Sequence, residues 1–460
     1  MTHVLTPDAV TFRVLVVVPS SHKVLVQEDG GPLCVLRVSI APRGRLAQEL
    51  RRELGRLWDA DVFILDFLQS GEDRSPLVVA ELLPRTIPAE LPTAYLDQIP
   101  EDEVSELERA LFFRMLGRDA NCPVSRIGWR NEAVAWAEDV TGGRLHAEAA
   151  VEQHNAGGLF TLLHLRMEDG QSYWLKATGE PNIHEREITR LLSTLCPRSL
   201  PHIVAEMPAW NAWLMKGDGC SLPALPTEPK RLVQLLRRAV ESLAELQLAS
   251  IGAESELFAA GAFDQRPHVL RANLDGLFAY LGEAMLLQSS TKVPRIGAGR
   301  LQEIREFLSR ALDHAERLGI PSTIVHGDMN LGNLVFTEDS CHLIDWSEGY
   351  IGHPLVTFQH LLLLNPVENP QDKASVENAL KEIYQTALYS VCDFRQIEEG
   401  FSCMALLAAF STLYGRGDWQ HRDPGNDPQW QRYARSITRY MDRYAHDPCL
   451  LESLGVRSNG

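Results

Sequence analysis

The sequence predicts an α+β protein made of a separate α/β domain, a β-rich lobe and a larger helical lobe. Short runs of Val, Leu and Ile divided by turn residues fill the first hundred residues and return from about residue 150. Such runs are typical of strands, whereas apolar residues spaced three and four apart are typical of amphipathic helices. The helical pattern dominates the second half of the chain, for example at 231–251, 300–319 and 401–415. We expect an α/β domain at 1–100, a linker and helix at 101–130, the β-rich lobe at 131–217 and the helical lobe at 218–460.

The composition is typical of a globular protein without a nucleic-acid or membrane partner. Hydrophobic residues make up 45% of the 460 residues, and the formal net charge is -17. An acidic surface repels the phosphate backbone of nucleic acids, and no apolar run is long enough to cross a bilayer. Eight cysteines occur without a C-x-x-C pair, which argues against a zinc site or a disulfide framework. We expect a cytoplasmic protein, because the first ten residues also lack the layout of a secretion signal; the sequence leaves the oligomeric state open.

The first domain alternates strands and turns around one amphipathic helix. Strands are predicted at 13–19, 23–28, 33–41, 61–68 and 76–83, and the helix at 44–60. One face of that helix carries Leu46, Leu50, Leu54 and Leu57. This order distantly resembles a Nudix fold, although the helix lacks the leading Arg and one metal-binding Glu of the Nudix pattern. We therefore expect either a degenerate Nudix-like domain, in which pyrophosphate hydrolysis is doubtful, or an unrelated α/β domain.

The β-rich lobe carries residues suited to binding phosphate. The predicted strands of 149–179 enclose a turn with Gly157 and Gly158, whose backbone N–H groups could approach a phosphate closely. Lys176 comes late on an apolar strand, and Glu187 follows on the next helix, from which it could reach back to Lys176. Each residue also has a purely structural interpretation: a turn glycine, a lysine extending to solvent, and a glutamate stabilised by the helix dipole.

Two short motifs in the helical lobe give the strongest signal. "VHGDMNLGN" places Asp328 and Asn333 five residues apart, and "LIDW" places Asp345 seventeen residues after Asp328. Both motifs are flanked by apolar runs that predict buried strands, where carboxylates and amides need a partner. Mg²⁺ prefers hard oxygen ligands, which Asn333 and Asp345 offer, and an ionised Asp328 near a substrate hydroxyl would take its proton. We expect His326 to anchor the loop through hydrogen bonds of its ring.

These motifs resemble those of known kinases. H-G-D-x-x-x-x-N followed by D-W resembles the catalytic loop and the metal-binding motif of protein kinases. The longer segment "IVHGDMNLGNLVF…LIDWSEGYIGHP" closely resembles the aminoglycoside phosphotransferase/choline kinase family, which consists of small-molecule kinases. The resemblance covers roughly residues 130–445 and implies a bilobal protein-kinase-like fold. It implies a phosphotransferase that uses ATP, or GTP as an alternative, with Mg²⁺ as cofactor and the hydroxyl of a small molecule as acceptor.

The same resemblance implies roles for individual residues. Asp328 would be the catalytic base, and Asn333 and Asp345 would be the Mg²⁺ ligands. The implied nucleotide-binding residues are Lys176, Glu187, Gly157, Gly158, Met215 and Gly217. The lysine, paired with the glutamate, would bind the phosphates, the glycine turn would cover them, and backbone groups near the last two residues would bond the adenine. The turn lacks the serine that many family members have at its tip, and no A-P-E motif follows D-W, which favours a small-molecule acceptor over a protein.

The acceptor is the least defined part of this interpretation. The loop 414–430 contains Asp418, Asp423 and Asp427, which could hold an amine-bearing metabolite or antibiotic, or could simply be solvated. A nucleotide-binding regulator or pseudokinase without transfer activity is the alternative function, kept open by the altered turn and the added first domain. A metal hydrolase is disfavoured, because strand alternation points His342 and Asp345 to opposite faces.

Overall fold

Two compact units make up the chain in the computed structural model. Residues 1–186 and 202–218 form the first unit, and residues 187–201 and 219–460 form the second. The structure describes residues 9–28, 31–41, 44–68, 74–84, 91–117, 122–146, 150–221, 229–422 and 425–455.

The first unit begins with a six-stranded mixed sheet. Its strands are β1 (Val10–Val18), β2 (Lys23–Gln27), β3 (Cys34–Ile40), β4 (Val62–Leu68), β5 (Leu77–Leu82) and β6 (Thr93–Ala94). They lie in the order β4-β5-β1-β3-β2-β6, in which β1 and β5 are parallel and the other neighbours antiparallel. Helix α1 (Leu46–Trp58) packs Leu50 and Leu54 against one face of this sheet. Leu57, which the sequence places on the same helix face, is 41% exposed.

A five-stranded antiparallel sheet follows in the same unit. Its strands are β7 (Val151–Asn155), β8 (Phe160–Arg166), β9 (Ser172–Thr178), β10 (Ile203–Met207) and β11 (Ala212–Lys216), in the order β10-β11-β9-β8-β7. The helices α2 (Glu106–Leu116) and α3 (Trp129–Thr141) precede this sheet in the chain, and α4 (Glu185–Leu195) follows β9. Strands β7, β8 and β9 lie within the predicted strands of 149–179, whereas β10 is not predicted by the sequence pattern.

One apolar core joins the two sheets of the first unit. Leu163 and Leu175 of the five-stranded sheet lie in the same buried cluster as Leu15 of the six-stranded sheet. The buried side chain of Gln153 accepts a hydrogen bond from the N–H of Ile64 at 2.9 Å and donates one to its carbonyl oxygen at 2.7 Å. The amide of Gln153 therefore pairs with β4 in the way that a neighbouring strand would.

Helices dominate the second unit. Besides most of α4, they are α5 (Pro229–Ser250), α6 (Glu254–Ala259), α7 (Pro267–Ala272), α8 (Leu274–Leu286), α9 (Ala298–Arg317), α10 (Leu355–Leu363), α11 (Pro370–Leu388), α12 (Phe394–Tyr414), α13 (Pro428–Tyr444) and α14 (Pro448–Ser453). One small sheet contains β12 (Cys220–Ser221), β15 (Leu334–Phe336) and β16 (Cys341–Leu343). The other contains β13 (Phe263–Gln265), β14 (Thr323–His326) and β17 (Gly349–Gly352).

The predicted α+β class is confirmed, with β-rich structure before helical structure, as in the kinase-like fold that the sequence resembles. The predicted domain boundaries stay a prediction, and most of the interval 218–229 lies outside the described residues. Among the described residues, none of the helices combines the length and apolarity needed to cross a membrane.

Candidate active site

A single β-hairpin holds the two predicted metal ligands of the second unit. Strands β15 and β16 pair so that Leu334 lies opposite Leu343. Beyond that pair, the N–H of Ile344 donates to the carbonyl oxygen of Asn333 at 3.1 Å. Asn333 directly precedes β15 and Asp345 directly follows Ile344, so both residues lie at the open end of the hairpin.

Side-chain amides fix the loop that carries Asp328. The amide Nδ2 of Asn333 donates to the carbonyl oxygen of Asp328 at 2.8 Å and lies 3.5 Å from its Oδ2. Asn330 donates through Nδ2 to the same Oδ2 at 3.2 Å and accepts from the N–H of Gly332 at 2.8 Å. Asp328 itself is exposed, whereas Asn333 is buried. Because a carbonyl oxygen fixes the orientation of the Asn333 amide, Oδ1 is the atom that Asn333 can offer to a cation.

His326 ties the loop to the chain before Asp345. It is buried, and its Nε2 N–H donates to the carbonyl oxygen of Ile344 at 2.8 Å, while its ring centroid lies 4.6 Å from that of Trp346. These contacts agree with the predicted anchoring role. Gly327 is required beside it, because a Cβ at that position would collide with the backbone of Glu348.

Asp345 has a left-handed backbone conformation, with φ 68°. Such a conformation costs a non-glycine residue roughly 1–3 kcal/mol and is concentrated at functional sites. The hydroxyl of Ser347 donates to its Oδ1 at 3.3 Å. An amide oxygen and a carboxylate at the end of one hairpin are hard donors, and this donor set fits Mg²⁺.

A cavity of about 470 Å³ opens beside Asp328. Helices α10, α12 and α13 supply most of its walls, and the loop from Gly327 to Met329 supplies the rest. Its volume lies within the range of small-molecule pockets. The cavity and the predicted base are therefore neighbours within the second unit.

In the first unit, Lys176 pairs with Glu185, two residues before the predicted Glu187. The Nζ of Lys176 lies 2.5 Å from Oε1 of Glu185, and the two side chains are 9% and 1% exposed. Glu187 instead forms an ion pair with Arg190 at 2.9 Å. Two residues rotate a helix by about 200°, so the glutamates at 185 and 187 point to opposite sides of α4. Glu185 therefore pairs with Lys176 from the helix on which the sequence predicts a glutamate partner, and the role predicted for Glu187 stays a prediction.

The sheet face that carries Lys176 is lined by aromatic rings. The register pairs Lys176 with Trp213 and Trp174 with Met215, so these four side chains lie on one face. The Nζ of Lys176 lies 5.4 Å from the ring centroid of Phe160 and 5.9 Å from that of Trp213. Trp213 is buried, whereas Phe160 and Trp174 are partly exposed and could stack with a purine base.

Gly217, the predicted adenine contact, is bonded within the sheet. Its N–H donates to the carbonyl oxygen of Ser172 at 2.8 Å, and its carbonyl oxygen accepts from the Ser172 hydroxyl at 2.8 Å. The carbonyl oxygen has a second lone pair, so an adenine contact there stays a prediction, as does one at Met215.

A carboxylate from the six-stranded sheet lies against the predicted phosphate turn. The N–H of Gly158 donates to Oδ1 of Asp66 at 3.3 Å, and the hydroxyl of Ser125 donates to Oδ2 at 3.0 Å. Gly157 has φ 108°, and a Cβ there would lie 2.8 Å from the same Oδ1. Burial raises the pKa of Asp66. The turn therefore binds a carboxylate of this chain with the N–H group that the sequence assigns to a phosphate.

A second group of ligand-type atoms lies at the edge of the five-stranded sheet. Oxygen and nitrogen atoms of Glu152, His154 and His164 lie within 4.8 Å of one another. These side chains suit a transition metal. The guanidinium of Arg166 binds Oε1 of Glu152 at 2.7 Å, however, and supplies a positive charge there already.

The acidic residues of the predicted acceptor loop have local partners. Asp427 accepts from the N–H of Trp430 at 2.9 Å and forms an ion pair with Arg422. Asp418 lies 3.8 Å from the same guanidinium, and Asp423 lies outside the described residues. Neither Asp418 nor Asp427 lines the cavity.

Comparison with known proteins supports the resemblance that the motifs indicate. Residues 185–387 match the sequence profile of the phosphotransferase enzyme family. This match confirms the predicted resemblance and the predicted enzyme class, a phosphotransferase. A search among curated proteins gave no match.

Solved structures similar to this chain include three enzymes or enzyme-family members. A macrolide 2'-phosphotransferase from Brachybacterium faecium has 14% identity over 66% of this chain and 97% of its own, with a TM-score of 0.46. A choline/ethanolamine kinase family protein from Mesorhizobium loti has 15% identity over 71% and 98%, with a TM-score of 0.44. An ethanolamine kinase from Plasmodium vivax has 14% identity over 69% and 87%, with a TM-score of 0.46.

Proposed function

We propose that the chain is a small-molecule kinase that transfers the γ-phosphoryl group of ATP, or of GTP as an alternative donor, to an acceptor hydroxyl. One observation carries the proposal: Asp328, held by Asn333 beside the hairpin end that bears Asp345, borders a cavity of about 470 Å³. A base, two oxygen ligands and a small-molecule pocket are what phosphoryl transfer to a small hydroxyl compound requires.

Asp328 orients the acceptor hydroxyl and accepts its proton. As the hydroxyl oxygen bonds to the γ-phosphorus, the bond from that phosphorus to the β–γ bridging oxygen breaks, and the nucleoside diphosphate leaves. The amides of Asn330 and Asn333 limit the motion of the loop. A restrained carboxylate meets the hydroxyl in a constant geometry, which is how positioning lowers the barrier.

Asn333 through Oδ1 and Asp345 through its carboxylate would hold Mg²⁺. When bound, Mg²⁺ neutralises charge on the phosphate oxygens. Lys176 binds phosphate oxygens of the nucleotide, and Glu185 keeps its ammonium group in place. The aromatic face around Lys176 holds the base.

One observation favours the alternative, a nucleotide-binding regulator. The N–H of Gly158 already donates to Asp66, so a phosphate would meet a carboxylate at the turn. If this contact persisted with nucleotide bound, the turn could not hold the phosphates in the position that transfer needs. The protein would then act as a regulator that binds nucleotide without transferring its phosphate.

A thermal-shift titration with ATP and GTP, each with and without Mg²⁺, tests the proposal. A ligand that binds only the folded state raises the melting temperature by mass action. We expect a shift that depends on Mg²⁺ and is lost in Asp345→Asn, with Glu338→Gln as a control on an exposed site of the same hairpin. The absence of a shift with either nucleotide would contradict the proposal, and a shift without ADP formation from any acceptor would favour the regulator.

A further inference from the structure

The cavity beside Asp328 has walls of small and apolar side chains. Helix α12 presents Ala405, Ala408 and Ala409 to it. These positions are three and four residues apart, so they form one strip on the helix face. The other walls combine leucines at the end of α10 with an isoleucine and two tyrosines of α13. The alanines leave the space open, and the aliphatic side chains of the lining offer no hydrogen bonds to whatever occupies it.

The polar groups of the cavity are neutral, apart from Asp328. Among the described residues that line it, Asp328 is the one charged side chain, and neither Lys nor Arg is present. Burial lowers the pKa of His360 to about 4, so its ring is uncharged near pH 7. Its Nε2 N–H donates to the hydroxyl of Thr412 at 3.2 Å, and that hydroxyl donates to the carbonyl oxygen of Ala408 at 2.9 Å.

Charged acceptors are disfavoured by this lining. An ion that loses its hydration in a protein pays several kcal/mol unless an opposite charge pairs with it. Asp328 must face the reacting hydroxyl, and Asp418 and Asp427 are bound to Arg422. Among the described residues that line the cavity, an acceptor with several ammonium groups therefore finds no further carboxylate, and an anionic acceptor finds no cation.

We infer that the acceptor is an uncharged alcohol with a largely apolar body, held against the alanine strip of α12 with its hydroxyl at Asp328. The inference rests on the proposed function, because it names the acceptor class of the same site. It replaces the amine-bearing acceptor that the acidic loop suggests from sequence. Gln359, which also lines the cavity, offers an uncharged donor and acceptor for one further polar group.

Matched ligands test the acceptor class by binding alone. Calorimetric titration at pH 7.5 would compare fused-ring and single-ring alcohols, such as 2-decalinol and cyclohexanol, with amino alcohols of the same carbon skeletons. We expect at least one uncharged alcohol to bind at least tenfold more tightly than its ammonium counterpart. Equal or tighter binding of the ammonium compounds, or no binding of any uncharged alcohol in the series, would overturn the inference.

Substitutions on α12 show whether the alcohol occupies this cavity. Ala409→Leu fills the space and is expected to raise the Kd of the alcohol at least tenfold. Ala374→Leu makes the same change at an exposed position of α11 and serves as the matched control. An alcohol that binds Ala409→Leu as tightly as the unchanged protein would place its site elsewhere and contradict the inference.

A second variant is designed to reverse the preference for an uncharged acceptor over an ammonium compound. Ala405→Asp adds a carboxylate to the strip and is expected to favour the ammonium compound over the alcohol, provided circular dichroism shows a folded protein. A separate measurement of nucleotide binding distinguishes a failure of the proposed kinase function from a failure of the inferred acceptor class. If the unchanged protein binds nucleotide with Mg²⁺ but phosphorylates only ammonium compounds, the proposed kinase function holds and the inferred acceptor class is wrong. If the unchanged protein does not bind nucleotide, the proposed kinase function itself is wrong.

Discussion

Asp328 is the residue on which the proposed chemistry depends most directly. Asp328→Asn keeps the shape of the side chain and the backbone carbonyl that accepts from Asn333. It removes the group that takes the proton, so we expect kcat to fall by roughly 10² to 10⁴-fold, the usual contribution of a positioned base. ADP release with an acceptor found by screening measures the effect. A variant with unchanged kcat would remove Asp328 from the mechanism.

Glu185 and Glu187 allow a matched test of the lysine pair. Glu185→Gln removes the carboxylate that pairs with the buried ammonium of Lys176, so we expect weaker nucleotide binding and a destabilised fold, by about 3–5 kcal/mol for a broken buried pair. Glu187→Gln breaks an exposed pair with Arg190 and is expected to change stability by less than about 1 kcal/mol. Urea denaturation and nucleotide titration of both variants decide the matter. A larger effect at 187 than at 185 would restore the pairing predicted from sequence.

We expect protonation of His353 to lower the stability of the fold in mild acid. It is buried, its Nδ1 accepts from the N–H of Leu355, and burial lowers its pKa from 6.5 to about 4. Between these values the unfolded chain binds a proton that the folded chain does not. The contribution of His353 to stability is therefore fully present above pH 6.5 and falls by about 1.4 kcal/mol per pH unit as the pH decreases towards 4.

The His353 contribution is measured as a difference between proteins. The free energy of unfolding of the unchanged chain and of His353→Gln would be compared at several values from pH 7.5 to pH 4.5. We expect the acid-dependent part to be smaller in the variant, since glutamine does not titrate. Identical slopes for both proteins would show that His353 is protonated equally in the folded and unfolded states.

At the scale of elements, local contacts are what the sequence predicts well. Hairpin β15–β16 joins residues close in the chain, and its apolar strands with polar ends indicate in the sequence that Asn333 and Asp345 lie at the same end of it. Which residues of α4 face β9 is harder to predict, because the sequence does not fix where a helix begins. In the structure the helix starts at Glu185, which lies beside Lys176.

Contacts across long stretches of chain escape sequence analysis altogether. Asp66 and Gly158 are ninety-two residues apart and belong to different sheets. The one local signal is a carboxylate within the apolar run "VFILDFL", which needs a buried partner but does not name it. The cavity could not be predicted from the sequence for the same reason. The alanines of α12 are ordinary helix formers in the sequence, and only the packing of α10 and α13 around them creates the cavity.

We expect a substitution that removes the charge of Asp66 to increase the affinity for nucleotide. Asp66→Asn retains one oxygen, which can accept from the N–H of Gly158, and its amide Nδ2 can donate to the hydroxyl oxygen of Ser125, but the variant removes the negative charge beside the phosphate turn. A unit charge several Å away contributes on the order of 1–2 kcal/mol at a protein surface, so we expect nucleotide affinity to rise roughly tenfold. Asp97→Asn, at an exposed position of the same unit, is the control. Unchanged or weaker binding in Asp66→Asn would show that the nucleotide phosphates do not lie near this turn.

At the scale of the whole molecule, the first hundred residues share a core with the five-stranded sheet. Arg13 of β1 and Glu108 of α2 form a buried ion pair at 2.6 Å. Gln153 bonds to the backbone of Ile64, and Leu163 and Leu175 pack in the cluster that contains Leu15. These contacts lie inside one compact unit. The region predicted as an added domain therefore supports the sheet that bears Lys176.

This shared core predicts that a chain beginning at residue 131 cannot fold its five-stranded sheet. Each fully buried leucine left uncovered costs roughly 1.5–3 kcal/mol, so exposing Leu163, Leu165, Leu175 and Leu214 together is comparable to the entire stability of a domain, about 5–15 kcal/mol. We expect residues 131–460 to aggregate or to bind a hydrophobic dye, and limited proteolysis of the full chain to release no stable fragment that begins near residue 130. The matched control is the full chain with Gln153→Leu, which removes the two hydrogen bonds between Gln153 and Ile64 but keeps the apolar core and should remain soluble. A soluble 131–460 fragment that unfolds cooperatively and binds nucleotide like the full chain would show instead that the first hundred residues are a detachable domain, as the sequence alone suggests.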